Sequence, residues 1–262
     1  IGLVLGMTGA GGSVVAVPLL MAGLGYAFPA AAGVSLGAVA LGALTGVLLR
    51  LRAGGILWGL AAVLAVSGVL LAPLGQWVGR HVAAPLLLSS FVVLMLFMAW
   101  RLWRQAVDEP ALTLAVRADA GPEEEDSGPA CPLSSSGRFE WRWPCLRRLL
   151  MVGALTGFLS GLYGVGGGFV IVPMLVLLTG LPMRQAVATS LLVISVVAGS
   201  AFALFLVEAP LPAGFWGVAA GAVAGMLVGS LLARRVAGPR LQQGFALLMV
   251  ALAADMALTF FR

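Results

Sequence analysis

The sequence predicts an all-α polytopic membrane protein of two homologous, inverted repeats, each with a glycine-broken helix (re-entrant or discontinuous) plus three spans. Three observations lead there. The chain is 61% hydrophobic and 10% charged, with a mean hydropathy of +1.09, too apolar for a soluble domain of 262 residues. Charge-free runs of about membrane-spanning length follow one another along it. The decapeptide Gly9-Ala-Gly-Gly-Ser-Val-Val-Ala-Val-Pro18 returns 155 residues later as Gly164-Val-Gly-Gly-Gly-Phe-Val-Ile-Val-Pro173. One unit therefore occurs twice.

Residues 1–104 are read as the first repeat. Ile1 already lies inside an apolar segment with no charged region or cleavage site ahead of it, so the natural N-terminus is expected upstream. The register between the copies holds without a gap from Gly6/Gly161 to Leu36/Leu191, with 12 identities in 31 positions, which is enough to define the repeat. Each copy sets a glycine cluster and then a proline in a long apolar run. Glycine tolerates strained backbone and proline lacks an N–H, so Pro18 and Pro173 are read with the glycines as helix-breaking positions. Three charge-free runs follow, at 30–49, 53–79 and 82–100. Gly33/Gly37 and Gly42/Gly46 recur at a spacing of four, as do Gly217, Gly221, Gly225 and Gly229 later, giving flat faces for helix packing.

Residues 105–145 hold eight of the ten acidic residues, including Glu123-Glu124-Glu125-Asp126, and read as a solvated linker. Cys131 and Cys145 lie in it at no metal-ligand spacing and are expected to be reduced thiols. Residues 146–262 are the second repeat, with runs at 185–207, 211–233 and 241–261 after its own glycine-bearing segment. That segment, Leu149 to Met183, carries no charge. At about 1.5 Å per residue it would reach about 50 Å, against a hydrocarbon core of about 30 Å. It is either a tilted, broken span or a re-entrant pair of half-helices near 147–163 and 169–181. If both broken segments cross fully, there are eight spans and ten arginines face inside against five. If both re-enter, the halves are inverted and thirteen face inside against two. The positive-inside rule favours inversion.

The glycine clusters are the strongest candidates for chemistry. Freed backbone inside a bilayer is tolerated where it lines a cavity, and paired breaks in two halves point to a substrate site. A half-helix starting after Gly164, Gly166, Gly167 and Gly168 would aim unpartnered N–H groups at that cavity, an anion site needing no basic side chain. Gly9, Gly11, Gly12 and Ser13 offer the counterpart. Ser35 and the pair Thr189-Ser190 sit at matching positions of the next span as hydroxyl donors, although bonds to their own helix carbonyls are open to them. Tyr163 adds a phenol. Of the two acids outside the linker, Glu208 ends a span and Asp255 lies in the last apolar run, read as interfacial.

Several classes are excluded. All 15 basic residues are arginines set singly or in pairs at the ends of apolar runs, so the net charge of +5 reflects topology and no nucleic-acid partner is expected. There is no P-loop and no lysine, which argues against ATP hydrolysis. Gly157-Phe-Leu-Ser160-Gly161 has the look of an intramembrane serine protease, but no base accompanies it. The chain is read as no enzyme, with no cofactor and no metal site.

Gly161-Leu-Tyr-Gly-Val-Gly-Gly-Gly-Phe-Val-Ile-Val-Pro173, then Gly180-Leu-Pro and Ala186-Val-Ala-Thr-Ser-Leu191, resembles the TauE/SafE family of sulfite and organosulfonate exporters. The first half echoes it in Gly6 through Pro18 and Gly33-Val-Ser-Leu36. Ser13 replaces the last glycine of the cluster, and the linker is long for the family. The resemblance implies export or exchange of a small sulfur-containing or carboxylated anion in a bacterial inner membrane, driven by an ion gradient such as H+ or Na+.

Overall fold

The computed structural model describes residues 1–8, 13–51, 55–108, 143–212, 214–236 and 239–260. Helices α1 (Gly2–Thr8), α2 (Ala16–Leu24), α3 (Phe28–Leu51), α4 (Trp58–His81) and α5 (Ala84–Asp108) make up the first half. The second holds α6 (Trp143–Tyr163), α7 (Gly168–Thr179), α8 (Met183–Glu208), α9 (Phe215–Val236) and α10 (Pro239–Phe260). Six of these are long and apolar enough to cross a membrane: α3, α4, α5, α6, α8 and α9. The protein is an integral, multi-pass membrane protein. Large apolar side chains such as Leu70, Trp143 and Trp216 point outward, as lipid requires.

Small residues decide how the helices meet. In α4 and α6, Gly68 faces Gly153 and Gly157, Ala72 faces Gly161, and Gly75 faces Phe158 and Leu162. Positions rise together, so the two helices run parallel at backbone contact. The pair α1 and α9 also runs parallel, with Gly2 against Ala222 and Gly6 against Gly229. In α3 and α8 the order reverses: Gly33 meets Phe205, Gly37 meets Phe202, and Gly46 meets Leu191. Those two are antiparallel. α5 packs on α10, α3 on α9, and α4 on α8.

These directions put several helix ends on one face. Arg50 at the end of α3 lies within electrostatic range of Arg184 at the start of α8. The N–H of Leu57, ahead of α4, donates to the Thr189 hydroxyl at 3.2 Å. Since α6 runs parallel to α4, it too begins on this face. α6 and α7 therefore form a hairpin whose two outer ends lie at this face of the bundle. Arg101, Arg104, Arg147 and Arg148 belong to this arginine-rich end by their places on α5 and α6. Arg80 is at the other end, its Nη2 paired with Glu208 Oε1 at 2.7 Å. Gln76 Nε2 donates to the Ala201 carbonyl nearby at 2.6 Å.

Some expectations change. The prolines do not break the helices: Pro18 is the third residue of α2, where a missing N–H costs nothing, and α7 continues through Pro173. α6 begins at Trp143 and is span-length by itself, four residues earlier than the half-helix expected from 147. α5 runs to Asp108, past the expected start of the linker; residues 109–142 lie outside the described residues. Cys145 is disulfide-bonded, contrary to the reduced thiol expected.

Candidate functional site

The tip of the α6–α7 hairpin is residues 164–167. The Gly164 N–H donates to the Ser160 carbonyl at 2.9 Å and closes the last turn of α6. Gly164 then takes φ +72° and Gly167 φ +62°, left-handed conformations that suit glycine and reverse the chain sharply. α7 starts at Gly168, and the Val170 N–H bonds back to the Gly167 carbonyl at 3.2 Å. The first N–H groups of a helix have no intrahelical partner, and the dipole is positive at that end.

The loop is wedged among four elements. Gly164 lies against Ala32 of α3, and Gly167 against Thr156 of α6. A Cβ built on Gly166 would fall 2.6 Å from Val39 Cγ1, 3.2 Å from Ile194 Cγ2 and 3.7 Å from Ser13 Cβ. Ser13 belongs to the first glycine cluster, so one residue of that cluster meets the second. Val39 and Ile194 flank the meeting point and are separated by the same 155 residues as the decapeptides.

Two hydroxyls beside this loop are fully buried and have no hydrogen-bond partner: Ser35 and Ser160. Ser35 lies between Ala32 and Val39 on one stripe of α3, the stripe that touches Gly164 and Gly166. Ser160 is one turn beyond Thr156 on α6 and one turn before Gly164. A buried hydroxyl left unmade costs about 1–3 kcal/mol. Donors of this kind beside a helix N-terminus suit a small anion held without a cationic side chain.

The other candidates are engaged elsewhere. Ser190 donates to the Val187 carbonyl of its own helix at 2.9 Å. Thr189 accepts from Leu57, tying α8 to α4. The Tyr163 hydroxyl donates to Ser90 of α5 at 3.0 Å, with its ring 5.2 Å from that of Phe91. Gly168 is buried at the start of α7. Gly9, Gly11 and Gly12 lie outside the described residues. Ser160 was not among the site residues expected from sequence, because its counterpart under the repeat is Leu5. Among the described residues no cluster of His, Cys, Asp or Glu could hold a metal ion.

A family model described as sulfite exporter TauE/SafE matches residues 1–256. The chain belongs to this family. It is 32% identical over 195 residues to a "Probable membrane transporter protein" of Xylella fastidiosa strain Temecula1, covering 74% of this chain and 66% of that relative. The chain thus spans just under two thirds of that relative's length. A shorter stretch, 58 residues covering 22% of this chain and 20% of the relative, is 53% identical to a protein of the same name from Haemophilus influenzae. No solved structure matches the chain.

Proposed function

We propose that this protein is a secondary carrier that exports or exchanges a small oxyanion, sulfite or an organosulfonate, across a bacterial inner membrane. The anion binds where the two glycine clusters meet, held by the first N–H groups of α7 and the hydroxyls of Ser35 and Ser160, with Ser13 facing them. The observation that carries this reading is the pair of buried, unpartnered hydroxyls beside the Ser13–Gly166 approach. Thr189, Ser190 and Tyr163 then shape the surroundings rather than touch the anion. An ion gradient, H+ or Na+, drives the movement.

The carrier is built as two inverted repeats, α1–α5 and α6–α10, each with a helix broken at its glycines. Antiparallel α3 and α8, which correspond under the repeat, support this. So does the pairing pattern: exchanging each helix for its counterpart turns α1–α9 into α6–α4 and α3–α9 into α8–α4, both of which are packed pairs. Ser13, Ser35 and Ser160 are fully buried, so substrate entry requires the halves to move apart on one side at a time.

Reconstituted proteoliposomes loaded with radiolabelled sulfite or sulfoacetate test the function. Saturable flux above protein-free vesicles is expected. Purified protein that is folded but carries neither anion under any imposed H+ or Na+ gradient would favour a membrane scaffold instead.

A further inference from the structure

The arginine-rich end holds an arrangement that the glycine loop does not use. Arg50 stands one turn beyond Gly46, where the end of α3 meets the start of α8. Its Nη1 is shut off from solvent and has no hydrogen-bond partner. The charged group acting on it is another cation, Arg184. Neither Glu208 nor Asp255 relieves this. Glu208 is engaged with Arg80 at the far end, and Asp255 lies late in α10, which begins at the arginine-rich end. Two like charges within electrostatic range of each other repel, and a buried guanidinium donor without an acceptor is costly. An oxyanion between them reverses both terms. Guanidinium groups present planar forks of N–H donors that match phosphate and sulfate oxygens. Arg184 is exposed, so the pair can be reached from water or from the headgroup layer. Gln185, whose side chain lies 3.4 Å from a Cβ built on Gly55, adds an amide at the same junction. Arg50 is about 16 Å along α3 from Val39, which touches the glycine loop, so this is a different place.

We propose that Arg50 and Arg184 form a second oxyanion site at the arginine-rich face of the membrane, taking one phosphate- or sulfate-like group. Two sources share that chemistry: the headgroup of an anionic phospholipid and a free small oxyanion in the aqueous phase. The proposal stands apart from the glycine-loop reading, because anything bound at the loop is common to every variant below.

The test compares the purified full chain with Arg50→Gln, Arg184→Gln and Arg80→Gln, the last a charge control at the opposite end. Calorimetric titration with sodium sulfate at constant ionic strength reads the free-anion arm. Native mass spectrometry after exposure to phosphatidylglycerol or phosphatidylcholine reads the lipid arm. Each of the first two variants is expected to weaken one of these by about tenfold or more, as loss of a hydrogen bond to a charged group does. Arg80→Gln is expected to change neither. Loss confined to sulfate identifies the free anion, and loss confined to phosphatidylglycerol identifies the lipid. Arg184 is exposed, so its variant remains a valid test where Arg50→Gln fails to fold. The site does not exist if Arg184→Gln binds both probes as tightly as the parent, if Arg80→Gln loses as much, or if the parent binds neither probe.

Discussion

At the scale of single residues, Ser35 and Ser160 separate binding from folding. A buried hydroxyl with no partner destabilises the protein that carries it. Ser35→Ala and Ser160→Ala are therefore expected to keep or slightly raise thermal stability in detergent. Yet each should weaken apparent affinity for the transported anion by about ten- to a hundredfold, the loss of one hydrogen bond to a charged group. Ser190→Ala should do less, since that hydroxyl is bonded to Val187. Concentration-dependent flux measures all three, and unchanged affinity in both Ser35→Ala and Ser160→Ala would remove them from the site. Gly166 offers a second handle. Its added Cβ would press on the tips of Val39 and Ile194, not on backbone. Gly166→Ala is expected to fold and lose transport, and Val39→Ala should not restore flux if the lost space belongs to the anion. Recovery in the double variant would mean that Gly166 serves packing alone. The serine at 35 was recognisable as a candidate from sequence because it matches Ser190 under the repeat. The one at 160 was not, because repeat logic pairs it with leucine and only the folded chain reveals its lack of a partner.

At the scale of helices, glycine spacing was legible and its partners were not. The run Gly217, Gly221, Gly225, Gly229 reads as one stripe, but only its later half is occupied. Gly225 and Gly229 receive Gly2, Leu3 and Gly6 of α1, whereas Gly217 and Gly221 have nothing within 4 Å. A longer backbone approach joins α4 and α6, through Gly68, Gly75, Gly157 and Gly161. A methyl at Gly157 would collide with the Gly68 carbonyl. Gly157→Ala is expected to cost about 1–3 kcal/mol or more, by overpacking. Gly217→Ala should be neutral or stabilising by at most about 1 kcal/mol, through helix propensity. Thermal unfolding in detergent compares the two, and equal effects would contradict the α4–α6 geometry. Helix positions themselves were read well from charge-free runs. Their ends were not, because α4 starts only after Gly55, whose φ of +93° no apolar pattern announces.

For the whole molecule, the question left open by arginine placement was whether the glycine-bearing segment crosses or returns. The parallel course of α4 and α6 and the antiparallel course of α3 and α8 support the proposed return, which labelling tests. In a background without native cysteines, single cysteines at Arg104, Arg147 and Arg184 are expected to react with an impermeant maleimide from the same side. A cysteine at Pro210 should react from the other, and labelling of positions 147 and 184 from opposite faces would restore eight full crossings. The pairing of helices also bears on biogenesis. α3 packs on α8, α4 on α6, α5 on α10 and α1 on α9, so nearly every extensive interface joins the first half of the chain to the second. Translation completes residues 1–108 while α6–α10 are still unmade, and that leading half has little with which to fold on its own. Its glycine-lined grooves on α4 must wait in lipid, or in the keeping of an insertase, until α6 emerges. Residues 1–108 expressed alone should be degraded by membrane quality control, and co-expressing residues 143–262 should rescue them.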